Sequence, residues 1–192
     1  MRIVGGKHKG KALATPKSRA IRPTSDRTRE AVFNILAHGV EGFSLEGARV
    51  CDLFAGTGAL GLEALSRGAW FCLFMEESAD ARALIRQNVE VVGAQGSSKI
   101  WRRDATRLGR AAPMEPFDLI FVDPPYGKGL GEKALRSTLE DGWIVPNAIC
   151  VLEEDAKATI VDIPGFKQID LRTYGDTQVV ILMHLGEPNA PG

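Results

Sequence analysis

The stretch that decides the fold is Val50-Cys-Asp-Leu-Phe-Ala-Gly56-Thr-Gly58-Ala-Leu-Gly61. The apolar run at residues 49–54 predicts a short buried strand, residues 58–67 predict a helix, and a G-x-G-x-x-G pattern lies between them. Glycines at such a turn let the backbone bend sharply and approach a ligand, and the helix N-terminus adds a partial positive field. The stretch therefore predicts a nucleotide-type loop in an α/β fold.

Strands and helices alternate along the rest of the chain. Predicted strands cover residues 71–75, 100–103, 117–122 and 148–153, then a hairpin of 169–172 with 178–183; predicted helices cover 24–36, 79–92 and 130–139. This order predicts an α/β fold with an open, doubly wound, mostly parallel sheet that ends in an antiparallel hairpin.

Charge is divided unevenly along the chain. The 24 basic and 24 acidic residues cancel, yet residues 1–36 carry a net charge of +7 and residues 37–192 a net charge of −7. Residues 1–22 hold seven Lys/Arg and no acid, which favours contacts with nucleic-acid phosphates over a merely solvated surface. The RNA-binding candidates are Arg2, Lys7, His8, Lys9, Lys11, Arg19 and Arg22. We predict a small basic β-hairpin extension over residues 1–23, with strands at 2–4 and 11–14, a main domain over 24–186 and a frayed tail over 187–192.

The composition excludes several classes of protein. With 44% hydrophobic and 25% charged residues, the chain fits a globular domain, and no apolar run approaches the ~20 residues that span a bilayer. The N-terminus lacks the apolar core of a signal peptide, so we expect a cytoplasmic protein with no membrane partner. Cys51, Cys72 and Cys150 lie in apolar runs and are expected in the core. The histidines show no metal-ligand spacing, so no metal site is predicted.

Carboxylates indicate which ligand the glycine loop binds. Glu76 ends the next predicted strand, 20 residues after Gly56, where it can accept both ribose hydroxyls of a nucleoside. Asp52 would repel a pyrophosphate but suits the cationic tail of S-adenosylmethionine; the alternative is that it accepts loop amides. After the third strand, Asp104 and Ala105 can meet an adenine ring, or Asp104 can cap a helix. The predicted cofactor-binding residues are Asp52, Phe54, Ala55, Gly56, Thr57, Gly58, Gly61, Glu76, Glu77, Asp104 and Ala105.

The tetrapeptide Asp123-Pro124-Pro125-Tyr126 follows a strongly apolar strand and supplies the predicted catalytic residues. Ligands of doubly wound sheets bind beyond the carboxyl ends of the strands, so we expect this tetrapeptide and the glycine loop to face one crevice. The prolines hold the Pro124 carbonyl and the Asp123 carboxylate as a rigid pair of acceptors. Such a pair can accept hydrogen bonds from an exocyclic base amine and orient its lone pair towards a methyl donor. Tyr126 can stack on the extruded base. The alternative is a rigid turn that closes a strand.

These motifs resemble class I S-adenosylmethionine-dependent methyltransferases that modify base amines and, within them, the RsmD family of 16S rRNA guanine-N2 methyltransferases. The resemblance covers nearly the whole chain. It rests on residues 1–11, 22–34, 52–64, 123–126 and 174–177, which read MRIVGGKHKGK, RPTSDRTREAVFN, DLFAGTGALGLEA, DPPY and YGDT.

The resemblance implies a seven-stranded Rossmann-like methyltransferase sheet and an N-terminal extension that helps to hold RNA. It implies methylation of one guanine in small-subunit ribosomal RNA, free or in the ribosomal subunit, and a monomer is the simplest expectation. By the same resemblance, residues 52–58 would bind the methionine part of the cofactor, Glu76 the ribose, and Asp104 with Ala105 the adenine. Thr24, Arg27 and Arg29 match the family pattern without an assigned role.

Three alternatives stay open. An adenine-N6 DNA methylase shares the tetrapeptide, although 192 residues leave little room for a domain that reads DNA sequence. A non-catalytic RNA-binding assembly protein could retain the fold, but the intact tetrapeptide argues against it. A nicotinamide-dependent oxidoreductase is disfavoured by Asp52 and by the tetrapeptide.

Overall fold

The computed structural model describes residues 1–16 and 25–186. Sequence predictions for Arg19, Arg22, Thr24 and the tail at 187–192 lie outside these residues. Within them, a seven-stranded sheet has the strand order β3-β2-β1-β4-β5-β7-β6. Its strands are β1 (Arg49–Leu53), β2 (Phe71–Met75), β3 (Ser98–Trp101), β4 (Phe117–Val122), β5 (Ile144–Asp155), β6 (Phe166–Tyr174) and β7 (Thr177–His184). The α-helices are α1 (Asp26–His38), α2 (Ala59–Ser66), α3 (Ala79–Val92) and α4 (Leu130–Glu140).

The sheet is parallel at one end and antiparallel at the other. Strand β2 pairs parallel with β1 and β3, and β4 pairs parallel with β5, whereas β7 pairs antiparallel with both β5 and β6. This confirms the predicted doubly wound, mostly parallel α/β sheet with a terminal antiparallel hairpin. The chain divides into two compact units, Met1–Asp104 and Ala105–Gly192.

In the first unit, apolar strands and capped helices follow the sequence pattern closely. Four of the five residues in each of β1 and β2 are buried, as a parallel strand covered on both faces requires. The side chain of Ser25 accepts the Thr28 amide and so caps α1, and Ser78 caps α3 in the same way through Ala81. Helix α3 ends at Gly93 in the left-handed conformation.

In the second unit, β5 is longer than predicted. The prediction covers residues 148–153, whereas the strand runs from Ile144 to Asp155 and includes Pro146 and Asn147. These two residues are typical of turns, and Asn147 has a φ of 64°, so the local signal indicates a break. The pairing with β4 shifts register between Phe117 and Leu119 and accommodates the irregularity.

The buried face of α1 is not the purely apolar one. Helical periodicity puts Ala31, Val32, Ile35 and Leu36 on one face, but the buried residues are Arg29, Val32, Phe33 and Leu36. The Phe33 ring packs beneath the guanidinium of Arg67, whose Cζ lies 5.0 Å from the ring centroid. Arg29 is fully buried because acidic partners surround its guanidinium, which apolar periodicity does not predict.

In the basic segment, residues 1–14, the two stretches predicted as strands, 2–4 and 11–14, pair antiparallel over a short length. Arg2 and Ala12 form a bridge, and a 3₁₀ turn at Gly6–His8 lies between the two stretches. The amides of Ile3, Gly10 and Leu13 donate to the carbonyls of Lys11, Ile3 and Met1 at 2.9, 2.8 and 3.0 Å. The amides of Val4 and Gly5 donate to the Glu63 carboxylate on α2 instead of to a neighbouring strand. The segment is thus packed on the body of the first unit rather than extended from it.

Two further sequence expectations concern the interior and the membrane. Cys51, Cys72 and Cys150 are buried in β1, β2 and β5, which confirms their predicted core placement. Across residues 1–16 and 25–186, no helix combines the length and apolar character needed to cross a bilayer.

Candidate functional site

The glycine loop leaves β1 in a constrained backbone conformation. Phe54 has a φ of 58°, a region that residues with side chains rarely adopt and that is often found at functional sites. Hydrogen bonds from the Ala55 amide to the Met75 carbonyl (3.0 Å) and from the Gly58 amide to the Ala55 carbonyl (2.7 Å) fix the turn. Helix α2 follows directly, with Gly58 as its N-cap and no side-chain cap. The predicted strand–loop–helix arrangement is therefore present.

The third glycine of the pattern serves packing. A Cβ at Gly61 would lie 2.4 Å from Cε1 of Phe74 and 2.5 Å from Sγ of Cys72. Only glycine lets α2 approach β2 this closely. Gly61 belongs to the predicted cofactor-binding set, but the structure places it against β2 and directs its amide to Asp52.

The Glu76 carboxylate lies against the glycine loop. Its Oε2 accepts the Gly56 amide at 2.9 Å, and its Oε1 accepts the Ser78 amide at 2.8 Å. A carboxylate oxygen has more than one acceptor position, so these bonds leave capacity for ribose hydroxyls. Glu77 is exposed, and its backbone carbonyl accepts Nη1 of Arg82 at 2.6 Å.

Asp52 is almost completely buried behind the loop, with 1% of its surface exposed. Its Oδ2 accepts the Gly61 amide at 3.0 Å, the contact expected under the alternative reading of this residue. Burial raises the pKa of Asp52 to about 8, and the nearby Glu76 charge adds to the shift, while the Gly61 hydrogen bond opposes it. A cationic ligand would favour the ionised form, and the role of Asp52 towards a ligand stays a prediction.

This titration predicts a pH dependence of folding. Because the raised pKa means that the native state holds a proton that the unfolded chain releases, stability falls as the pH rises from about 4 to about 8. Compared with Asp52→Asn, the wild-type free energy of unfolding should fall by about 1.4 kcal/mol per pH unit at the steepest part. Urea denaturation of both proteins without ligand, at half-unit steps from pH 5 to 8, measures the difference. Parallel pH profiles would contradict it.

Two residues, Asp104 and Ala105, are predicted to contact the adenine ring of the cofactor. Asp104 is half-buried and is the last residue of the first unit, and a turn follows it, so its adenine and capping roles both stay predictions. Ala105 is buried in the second unit. Trp101 is half-buried, and Cζ of Arg103 lies 5.1 Å from its ring centroid.

The tetrapeptide follows β4 directly and is anchored at its tyrosine. Asp123 and Tyr126 are half-buried, Pro124 is buried and Pro125 is exposed. The Tyr126 hydroxyl donates to Oε1 of Glu153 at 2.8 Å and lies 3.1 Å from Oγ1 of Thr177. Burial raises the pKa of Tyr126 well above its ordinary value, and the Glu153 and Asp123 charges add to the shift, so the phenol remains a proton donor.

Two buried acids of β5 support the tetrapeptide from behind. Glu153 holds the Tyr126 hydroxyl, and Oε1 of Glu154 accepts the Gly127 amide at 3.0 Å. Sequence reasoning missed both residues as site residues, although consecutive acids at the end of an apolar strand were a usable signal. The expectation that this tetrapeptide and the glycine loop face one crevice stays a prediction.

A buried ionic cluster attaches the basic segment to α2. Glu63 is fully buried; besides the Val4 and Gly5 amides, at 2.9 and 2.8 Å, it contacts Nε of Arg29 at 3.4 Å and Nε of Arg67 at 2.7 Å. Arg29 also donates to the Arg2 carbonyl and contacts Asp26. Arg29, which matches the family pattern but had no assigned role, therefore helps to attach the N-terminus to the rest of the first unit.

Some of the RNA-binding candidates have exposed side chains, and others form contacts within the protein. Arg2, Lys7 and Lys9 are exposed. The Lys11 ammonium donates to the Val91 and Val92 carbonyls, at 2.9 and 3.4 Å, at the C-terminus of α3. His8 is half-buried; burial, followed by the Lys11 and Lys7 charges, lowers its pKa, so it is not a strong source of positive charge. The role of Lys7 and Lys9 in phosphate contacts stays a prediction.

Metal-ligating side chains do not cluster in the part of the chain that the structure describes. Within it, no group of three or more His, Cys, Asp or Glu residues is arranged to hold an ion.

Comparisons with known proteins place these features in a family. A family profile described as "Conserved hypothetical protein 95" matches residues 1–183. "Ribosomal RNA small subunit methyltransferase D" of Escherichia coli K12 is 34% identical over 86% of this chain and 80% of its own length. "Putative rRNA methyltransferase YlbH" of Bacillus subtilis is 34% identical over 97% and 100%. The solved structure "Putative methyltransferase yhhF from Escherichia coli" superposes with a TM-score of 0.83 and 28% identity over 97% of this chain and 99% of that chain.

Proposed function

The chain belongs to the RsmD family, the family described as conserved hypothetical protein 95, and we propose that it methylates the exocyclic N2 amine of a guanine in small-subunit ribosomal RNA. S-adenosylmethionine is the proposed methyl donor. The observation that carries the proposal is a family match over residues 1–183 that includes an intact Asp123–Tyr126 tetrapeptide anchored by buried side chains. The guanine and its N2 position follow from the family resemblance and are what the experiments must test.

The chemistry of the glycine loop supports a nucleoside with a cationic tail. Glu76 offers carboxylate oxygens at the loop, and Asp52 lies buried behind it with a raised pKa. A buried carboxyl of this kind gains its charge when a cation approaches, which suits the ammonium and sulfonium groups of S-adenosylmethionine. A pyrophosphate would meet two carboxyl groups instead, which disfavours a nicotinamide cofactor.

The proposed reaction is a direct methyl transfer. Bound S-adenosylmethionine supplies an electrophilic methyl group on sulfur. Asp123 and the Pro124 carbonyl accept the amine hydrogens, because an aromatic amine has a delocalised lone pair and must be oriented before it can attack. The new N–CH₃ bond forms as the S–CH₃ bond breaks, and the amine proton leaves to Asp123 or to solvent. Tyr126 presents its ring for stacking on the base, worth about 1–3 kcal/mol.

The anchored tyrosine gives that stacking surface a fixed orientation. Its hydroxyl contacts Glu153 and Thr177, so the ring is ordered before any substrate binds. Such pre-ordering lowers the entropy that binding must otherwise remove.

The exposed lysines of the basic segment are the proposed phosphate contacts. A Lys7→Gln/Lys9→Gln double variant should bind RNA more weakly, with the slope of log K against log salt concentration reduced by about 1.5, since each lost phosphate contact removes about 0.7–0.9. Filter binding at 50–300 mM KCl measures the slope. A Lys133→Gln/Lys157→Gln variant, which removes two exposed lysines elsewhere, is the control. An unchanged slope in the first variant would count against the assignment.

The substrate polymer is tested by methyl transfer. Purified protein is incubated with labelled S-adenosylmethionine and, separately, small-subunit ribosomal RNA, small ribosomal subunits and duplex DNA. Label in RNA or subunits supports the proposal, and label in DNA alone supports the DNA methylase alternative. RNA binding without transfer supports a non-catalytic assembly protein. Comparing naked RNA with subunits also identifies the substrate form.

We further propose that the enzyme acts as a cytoplasmic monomer. Ribosomal RNA is synthesised and assembled inside the cell, so an enzyme that modifies it works there.

A further inference from the structure

Asn88 connects two parts of the first unit that are far apart in sequence. Its side chain is fully buried on α3. Its Oδ1 accepts the Ala14 amide at 2.7 Å, while Nδ2 donates to the Ala14 carbonyl at 3.1 Å and to the Thr57 carbonyl at 2.9 Å. One amide group thus holds both the end of the basic segment and the centre of the glycine loop.

A second contact joins the same two parts. The Thr57 hydroxyl lies 3.7 Å from Sδ of Met1, the first residue of the basic segment. The segment therefore touches the loop directly at its beginning and through Asn88 at its end. Gly6 packs on the last turn of α2, where an added Cβ would lie 1.9 Å from the Ser66 carbonyl oxygen.

We propose that Asn88 is a positioning residue that couples RNA binding at the basic segment to cofactor binding at the glycine loop. The proposal rests on the function proposed above and adds a link between its two ligands. RNA that orders the segment also orders Ala14, which fixes the Asn88 amide and through it the Thr57 carbonyl. Each ligand orders part of what the other requires, so the coupling is positive.

Thermodynamic linkage makes this coupling reciprocal. If RNA lowers the Kd of the cofactor by some factor, the cofactor lowers the Kd of RNA by the same factor. A loss of general stability in a variant can weaken both affinities, but it leaves their ratio unchanged. The ratio therefore separates coupling from a merely structural role.

The test is calorimetric titration with S-adenosylhomocysteine, which binds as the reaction product and does not react. Its Kd is measured for the wild type with and without saturating transcribed small-subunit ribosomal RNA, and the RNA Kd is measured with and without S-adenosylhomocysteine. We expect a factor of about five or more in both directions. In Asn88→Ala and in Asn88→Asp, which keeps the acceptor for the Ala14 amide, the factor should fall to below about two.

The neighbouring exposed amide supplies the matched control. Gln87→Ala removes the same chemical group from the solvent face of α3 and should retain the wild-type factor. Amide hydrogen exchange of residues 54–61 in the wild type needs no variant, and RNA alone should slow it.

The outcomes distinguish the two proposals. If the wild type binds no S-adenosylhomocysteine, both the proposed function and the coupling are wrong. If it binds both ligands and transfers methyl groups, but the affinities are independent and RNA leaves the exchange unchanged, the coupling alone is wrong. If both Asn88 variants keep the wild-type factor, the role of Asn88 is wrong.

Discussion

Replacing Asp123 with alanine is expected to slow methyl transfer by roughly 10²–10³-fold, while the Kd for S-adenosylhomocysteine stays within about twofold of wild type. In the proposed mechanism the carboxylate accepts an amine hydrogen and orients the lone pair, so its loss acts at the transition state rather than on the cofactor. Single-turnover measurements with saturating RNA report this step directly, because product release does not contribute.

Two companion variants make the Asp123 result interpretable. Asp123→Asn keeps one oxygen acceptor but cannot take the proton, so activity between the wild type and Asp123→Ala indicates that orientation dominates. If the Asn variant is as slow as the Ala variant, charge or proton transfer is the larger effect. Asp162→Ala removes an exposed acid of the same unit and should transfer methyl groups normally. Near-normal turnover in Asp123→Ala would contradict the mechanism.

Replacing Glu63 with alanine is expected to destabilise the protein by about 3–5 kcal/mol, because the change removes the buried carboxylate that contacts the guanidinium groups of Arg29 and Arg67. It also removes the acceptor for two amides of the basic segment. For a chain of this size, the melting temperature should fall by about 10 °C.

Calorimetry of the ligand-free protein measures this effect. Glu90→Ala removes an exposed glutamate from α3, so it should shift the melting temperature by less than about 2 °C. Glu63→Gln keeps the size of the side chain and one acceptor oxygen, and should lie between the two. A Glu63→Ala protein that melts with the wild type would show that the cluster contributes nothing to stability.

Most of the fold follows from local patterns in the sequence. The predicted bounds of β2, α3 and β4 agree with the structure to the residue, because each element is a continuous apolar run or a capped amphipathic stretch. The basic segment and β5 follow only in part. In the basic segment, antiparallel pairing is limited to the residues around Arg2 and Ala12, and the Glu63 carboxylate accepts the Val4 and Gly5 amides. In β5, a proline and an asparagine occur inside a long strand.

The candidate site likewise contains residues that local motifs predict and residues whose roles depend on distant partners. The glycine loop, Glu76 and the tetrapeptide are local motifs, and the sequence predicts them together with their chemistry. Asn88, Glu63 and Arg29 acquire their roles from partners far along the chain, at separations of 74 residues for Asn88 with Ala14 and 34 for Arg29 with Glu63. A single sequence has no signal for such pairs, since each residue alone fits an ordinary helix surface.

The structure also shows that some of the positive residues near the N-terminus form contacts within the protein. Of the positive side chains near the N-terminus, Arg29 is buried in the ionic cluster and Lys11 contacts the end of α3. The charge excess therefore includes residues that attach the basic segment as well as the exposed residues proposed to contact RNA.

The most direct test of the central claim is the identity of the methylated nucleoside. Small-subunit ribosomal RNA that has been methylated by the purified protein with labelled S-adenosylmethionine is digested to nucleosides and separated by liquid chromatography with mass detection. The account predicts label in N2-methylguanosine, strongly reduced when Asp123→Ala replaces the wild type. Label in N6-methyladenosine, or in any nucleoside other than N2-methylguanosine, would contradict it.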